Sequence, residues 1–203
     1  MKNWSELADD ESIAKTIENL KANGIDALVV DNGIEAKNKV LELLPQGAEV
    51  MNMSSVTIDT LGLPKEINES GKYDSVKNKL SKMYRATQDR EMQRIGTAPE
   101  YAVGSIHAVT EDGKVIIASN TGSQLPAYAY AASHVIWIVG TQKIVAHLDE
   151  GLKRIYEYVL PLESKRLRKI YGVESNVSKL LIINKEISPN RLTLILVKEK
   201  LGF

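Results

Sequence analysis

The side chains in this sequence that could do chemistry cluster in four short polar turns: Asp31-Asn32-Gly33, Asn52 to Thr57, Ser119 to Gln124, and Gly140 to Lys143. Each follows an apolar run of strand type, and ligands of open α/β sheets bind where such turns leave the carboxyl ends of strands. The third turn is the richest. In Ser119-Asn120-Thr121-Gly122-Ser123-Gln124, Gly122 would let the backbone approach a ligand, and Thr121 and Ser123 offer hydroxyl donors. A helix starting after the turn would favour an anionic group. The same residues equally fit a turn whose hydroxyls cap the next helix. The candidate ligand contacts are therefore Asn120, Thr121, Gly122, Ser123 and Gln124, joined by Gln142 and Lys143 from the fourth turn and by Ser54, Ser55 and Thr57 from the second. Lys143 reads either as an anion clamp or as a surface lysine at a helix end, and the residues alone leave both open.

Other chemistries find no matching spacing. Without a single cysteine, the chain can hold no cysteine-ligated iron–sulfur cluster, disulfide or catalytic thiol. A Gly-x-Ser-x-Gly elbow is absent, and the glycine spacing fits neither a phosphate loop nor a dinucleotide fingerprint. The histidines, His107, His134 and His147, are scattered; His147 with Glu150 reads as a surface pair rather than a metal site, and His107 as structural rather than a general base. Glu100 and Glu163 are available acids outside the Thr121 turn, so no residue is assigned as catalytic. Arg85, Arg90 and Arg94 could fork onto an anion, but their charge-rich stretch fits a solvated helical arm better. Basic and acidic residues cancel at 26 each, which argues against nucleic acid or an anionic membrane as partner. Met1 to Glu6 has no apolar leader, and no apolar run reaches the roughly 18 residues a membrane span needs. The expectation is a cytoplasmic protein.

The elements that must position the turns follow from periodicity. Ile13, Ile17 and Leu20 predict a helix ending near Ala22 before Gly24; Ile25 to Val30 predicts a strand; Ile34 to Leu44 predicts a second helix. Ala48 to Met53 predicts another strand, and Tyr73, Val76 and Leu80 another helical stretch. Thr97-Ala98-Pro99-Glu100 reads as a helix start, with proline early in the helix. His107 to Thr110 and Lys114 to Ala118, joined by Glu111-Asp112-Gly113, predict a hairpin. Val115 to Ala118 and Val135 to Val139 read as strands whose turns open at one edge of a single sheet. From Ile144 to Val159 apolar residues step at helical spacing, with Glu150 and Arg154 as an i,i+4 pair and Pro161 kinking or ending the helix. Leu180 to Asn184 and Leu192 to Val197 predict a final antiparallel pair. The expected architecture is one α/β domain over residues 1–203, with a mixed, mostly parallel sheet flanked by helices and carrying antiparallel hairpins.

Three stretches carry a resemblance. Gly104 to Gly113, Ala118 to Pro126, and His134 to Val145 with its Gly140-Thr141-Gln142-Lys143 resemble the lactate-utilisation (LUD) domain family, as does the closing Leu201-Gly202-Phe203. That resemblance implies a fold similar to the ribose-phosphate isomerase, glucosamine-phosphate deaminase and CoA-transferase group. It further implies a protein that binds a small anionic or phosphate-bearing metabolite and supports oxidation of lactate, a hydroxy acid, with separate iron–sulfur partner proteins. The alternative within the wider fold group is a stand-alone enzyme acting on a sugar phosphate or acyl-CoA. No catalytic residues of that group map onto a matching motif, the cofactor is unassigned, and a homo-oligomer is compatible with either reading.

Overall fold

The computed structural model describes residues 3–203; Met1 and Lys2, which begin the segment searched above for an apolar leader, lie outside the described residues. Helix α1 (Asp10–Ala22) starts where the Asp9 carboxylate accepts the Ser12 N–H at 2.8 Å, and it buries Ile13, Thr16 and Leu20. Strand β1 (Asp26–Val30) leads through the Asp31 turn into α2 (Gly33–Leu43), whose cap Asn32 accepts the Glu35 N–H at 3.0 Å. The first polar turn is thus occupied with capping a helix.

Next come β2 (Glu49–Asn52), the short helices α3 (Val56–Thr60) and α4 (Leu63–Glu69), β3 (Asp74–Ser75), and helices α5 (Val76–Ser81) and α6 (Arg85–Thr97). Helix α6 buries no residue, and Arg85 and Arg94 pair with Asp89 and Glu91 on the same helix, as a solvated arm does. The predicted helix start at Thr97 is instead a helix end. Pro99 cannot extend α6, and the chain passes into strand β4 (Tyr101–Gly104), which its four-residue length concealed in the sequence.

Strands β5 (Ala108–Thr110) and β6 (Val115–Ser119) form the predicted hairpin, paired antiparallel. After a π-helical turn (Ala127–Ala131), β7 (His134–Gly140) runs into a 3-10 turn (Thr141–Lys143) and the two-residue β8 (Ile144–Val145). Ile144 therefore belongs to a strand, and the helix read from it begins later as α7 (Leu148–Arg154). Pro161 does not break that helix. A π turn (Ile155–Val159) carries α7 straight into α8 (Leu160–Tyr171), with Pro161 in the first turn of α8. A proline lacks an N–H and crowds the carbonyl four residues back, and the wider π turn relieves both demands. Strands β9 (Lys179–Ile183) and β10 (Leu192–Val197) complete the chain.

The strands divide between two sheets. Six form a parallel sheet in the order β1-β10-β7-β4-β2-β3, and four form a mixed sheet, β8-β5-β6-β9. The expected pairing of the last two strands is not made: β10 lies parallel between β1 and β7, while β9 pairs antiparallel with β6. Likewise β6 and β7 belong to different sheets, so their turns do not share one sheet edge. The reason lies in burial. Along β7, Ile136 and Ile138 pack into a core with Val40, Ile58, Leu63 and Ile67, whereas Val135, Trp137 and Val139 pack into another with Leu20, Val115 and Ile117. A strand buried on both faces needs an apolar side chain at every position, and both β7 and β10 supply one nearly throughout. The smaller sheet lies over one face, its Ile116 and Ala118 packing outward against Ile155.

Buried Arg191 ties this assembly to the π turn after β6. Its guanidinium donates to the carbonyls of Ala127 (3.0 Å), Tyr128 (2.9 Å) and Ala132 (3.1 Å) and pairs with Glu186 at 2.5 Å. Removing one partner of a buried pair costs about 3–5 kcal/mol. Arg191→Met is accordingly expected to lower the unfolding free energy by about that amount in urea titrations, with the π turn at Tyr128 losing amide-exchange protection first.

Candidate functional site

The carboxyl ends of β2, β4 and β7 deliver their turns to one cleft of about 310 Å³, closed on the opposite side by the end of β6, the first turns of α8 and the Ser175-Asn176 segment. Met53 to Thr57, Ser105 to His107, and Lys143 line it from the parallel sheet; Ala118 to Thr121 and Gln124 line it from the smaller one. Glu163 and Arg166 project from α8, and Gly202 and Phe203 from the segment after β10. The cleft therefore lies between the two sheets, at the edge where parallel strands leave their turns.

Lys143 forms part of its floor, only 3 % exposed. Its Nζ lies 3.1 Å from Thr57 Oγ1, 3.0 Å from Ser105 Oγ and 3.0 Å from the Ile106 carbonyl oxygen, all neutral groups. Burial, and after it the charge of Arg154, holds the amine well below the usual lysine pKa. Arg154 is fully buried. One of its Nη atoms donates to the His107 carbonyl at 2.6 Å, its guanidinium sits 5.3 Å from the centre of the Tyr158 ring, and Nε and Nη2 meet no partner among the described residues. The expected pair with Glu150 is not formed, because Arg154 turns inward. Burial pushes its pKa down to about 10, which leaves it charged at neutral pH.

His107 is close to both side chains. Its N–H donates to the Ile116 carbonyl at 3.1 Å, and its Nδ1 accepts the Ala118 N–H at 3.1 Å, so the neutral ring carries its proton on Nε2. Burial, then Lys143 and Arg154, push its pKa down to about 3. His107 lines the cleft as a neutral imidazole, which makes it more than the structural residue its position suggested. On the far wall Arg166 forks onto Glu163 at 2.7 and 2.6 Å. Among the described residues no group of three metal-ligating side chains converges, and His147 only precedes α7 without a side-chain cap bond.

The LUD domain family model matches residues 13–197. The chain belongs to the LUD domain family. That family is associated with lactate utilisation. A crystal structure of a DUF162 family protein from Deinococcus radiodurans, DUF162 being the earlier name of the same family, is similar over 95 % of this chain and 99 % of that one. The two share 14 % identity at a TM-score of 0.58, a likeness of fold. No curated protein matches the chain. No helix among the described residues is long and apolar enough to cross a membrane.

In this LUD domain the cleft gathers Ser54, Ser55, Thr57, Asn120, Thr121, Gln124 and Lys143 of the residues singled out in the sequence. Gly122, Ser123 and Gln142 stand outside it. The space beside Gly122 is filled by the Lys179 stem: a Cβ there would lie 2.6 Å from Lys179 Cδ, and the residue's φ of 86° itself calls for glycine. Within the turn, Ser119 Oγ accepts the Gly122 N–H at 2.8 Å and donates to Gln124 Oε1 at 2.9 Å, while Thr121 and Ser123 hydroxyls bond each other at 3.1 Å. Gln142 donates to the Leu201 carbonyl at 2.9 Å and so anchors the closing segment. Ser55, by contrast, caps α3 without using its hydroxyl, which is left to the cleft. Sequence reasoning did not single out Ser105, Tyr128, Arg166 and Phe203 as lining residues; of these, Ser105 and Phe203 stood in stretches that carried the family resemblance, Gly104 to Gly113 and Leu201-Gly202-Phe203.

Tyr128 depends on a glycine. A Cβ at Gly104 would sit 1.9 Å from its hydroxyl, and Tyr128 packs edge-on against Trp137 at 5.4 Å. Gly104→Ala is expected to displace this ring and cost about 1–3 kcal/mol, the usual price of overpacking, read as a lowered urea midpoint. Lys143 gives a pH-dependent expectation. The amine sheds its proton on folding and regains it on unfolding, so between its depressed folded value and about 10.4 for an unfolded lysine the unfolded state binds more protons. Stability from this group therefore rises with pH through that window. Unfolding midpoints measured across it should climb more steeply for the wild type than for Lys143→Met; parallel profiles would mean that the amine keeps its proton when folded.

Proposed function

We propose that this LUD domain binds a small anionic or phosphate-bearing metabolite in the cleft and supports oxidation of lactate, a hydroxy acid, together with iron–sulfur partner proteins. The observation that carries the reading is a cleft floor where Lys143 contacts neutral oxygens alone, with the charged Arg154 near enough to act on it and no acidic side chain bonded to either. Lys143 and Arg154 are both buried; among the described residues Lys143 bonds to neutral oxygens alone, and Arg154 to a carbonyl with the Tyr158 ring beside it. Burying a cation without a partner is expensive, so such an arrangement is stable chiefly when a ligand supplies the anion. The hydroxyls of Ser54, Ser55 and Thr121, with the His107 Nε2–H, suit the oxygens of a carboxylate or phosphate.

A chain without cysteine carries no thiolate-held cluster, which fits a division of labour with separate iron–sulfur proteins. Glu163, the acidic side chain lining the cleft among the described residues, is paired with Arg166, which lowers its fitness as a nucleophile for CoA transfer. Calorimetric titration with lactate, pyruvate and inorganic phosphate tests the site. A charge-assisted hydrogen bond contributes about 1.5–3 kcal/mol, so Lys143→Ala should weaken binding by roughly 10- to 150-fold. Thr121→Val should have a smaller effect in the same direction. Undiminished binding in Lys143→Ala would sink the assignment, and turnover of a sugar phosphate or CoA thioester by the purified chain alone would replace the partner-dependent reading.

A further inference from the structure

We propose that Lys143 is a nucleophile whose amine captures the carbonyl carbon of an anionic aldehyde or ketone as a covalent iminium on the floor of the cleft. The inference rests on the anion-site reading above and specifies the ligand class for that same site.

Nζ is buried on the cleft floor against three neutral oxygens, with no carboxylate bonded to it, surroundings that favour the uncharged amine. A neutral amine has two N–H donors and one lone pair. The Ile106 carbonyl can only accept, so it takes one N–H at 3.0 Å. The Thr57 hydroxyl places its own proton on the Leu201 carbonyl at 3.3 Å, so it takes the second N–H at 3.1 Å. The Ser105 hydroxyl donates to the Ile106 carbonyl at 3.4 Å and accepts from Nζ at 3.0 Å, so it is the partner released when the nitrogen gives up its third proton. In the uncharged amine the lone pair takes the direction of Ser105, and rotation of that hydroxyl exposes it to a molecule in the cleft. Lysines desolvated in this way are the ones that form Schiff bases with carbonyl compounds.

The class of carbonyl compound follows from charge. An iminium is a cation, and it would be disfavoured at this buried position as the ammonium is, unless the ligand brings a negative group beside it. A carbonyl compound bearing a carboxylate or phosphate near the carbonyl does so, with the hydroxyls of Ser54, Ser55 and Thr121 available to its oxygens. In the step, the nitrogen lone pair forms the C–N bond while the C=O pair moves onto oxygen. One amine proton passes to that oxygen, with the Ser105 hydroxyl placed to relay it, giving the carbinolamine. The hydroxyl then leaves as water with one proton taken from solvent, and the nitrogen lone pair closes the C=N bond. The balance is amine plus carbonyl plus one proton to iminium plus water.

The test is reductive trapping on the full chain. The protein is incubated with cyanoborohydride and either pyruvate or glyoxylate as 2-oxo acids, or glycolaldehyde phosphate as a phosphorylated aldehyde, then analysed by intact mass and peptide mapping. The expected product is one adduct, with the mass of the ligand less one oxygen, at Lys143 and absent in Lys143→Arg. Trapping by the 2-oxo acids or by the phosphorylated aldehyde supports the proposal and identifies which anionic group the cleft takes. Adducts on surface lysines with none at Lys143 overturn it, and this wild-type map decides the matter even where the variant does not fold. Calorimetric binding of the same ligands without trapping overturns the covalent step while leaving the anion site intact; absence of both overturns the two readings together.

Discussion

The six-stranded parallel sheet is covered on both faces, by the core under α2, α3 and α4 on one side and by α1 with the smaller sheet on the other. A sheet enclosed in this way meets solvent only at its strand ends, and parallel strands place all their carboxyl ends on one edge. The candidate site is built on that edge. Ser54 and Ser55 stand there after β2, Ser105 and His107 after β4, and Lys143 after β7. The smaller sheet and α8 then close over the edge, which converts an open crevice into a cleft with two walls.

The same closure sets the electrostatics. Lys143 on the cleft floor and Arg154 behind His107 come from different elements, a 3-10 turn after β7 and the end of α7, and each loses its water to packing rather than to an ion pair among the described residues. His107 lies close to both, held through its carbonyl, its N–H and its Nδ1, so its neutral state and its tautomer are both fixed by the backbone of β6 and by Arg154. The result is a preorganised field aimed at negative charge, maintained without any acidic residue in the first contacts of Lys143. Such a field is a cost to folding and a resource for ligand chemistry.

Much of the fold was legible because the apolar periods were strong. Helices α1 and α2, strands β1, β2, β6, β7 and β10, and the β5–β6 hairpin all announce themselves by spacing and turn residues. Strand β4 did not, since four residues ending in glycine carry too little pattern. Pairing was equally hidden: β9 and β10 look like neighbours, yet β10 belongs in the centre of the parallel sheet, where both faces are buried, and β9 at the border of the other, where Lys179 and Leu180 stay exposed. In the candidate site, the turns after β2, β6 and β7 were legible as polar breaks after strands. The arginine on α8 was not, because Arg166 sits in a basic stretch whose pattern is that of any solvated helix face.

By itself the sequence determined the α/β class, the order of most elements, the absence of thiolate chemistry and the polar turns from which a site could be built. Only the tertiary structure decided which turns meet. Local spacing records the state of one segment, whereas a site depends on contacts between segments far apart in the chain, such as Lys143 with Thr57 and Ser105. Those contacts also decided the chemistry. As a residue in a sequence, Lys143 is an ordinary cation; enclosed by two sheets with only neutral oxygens for partners, it becomes a buried amine, because desolvation acts on the charged form and no carboxylate offsets it.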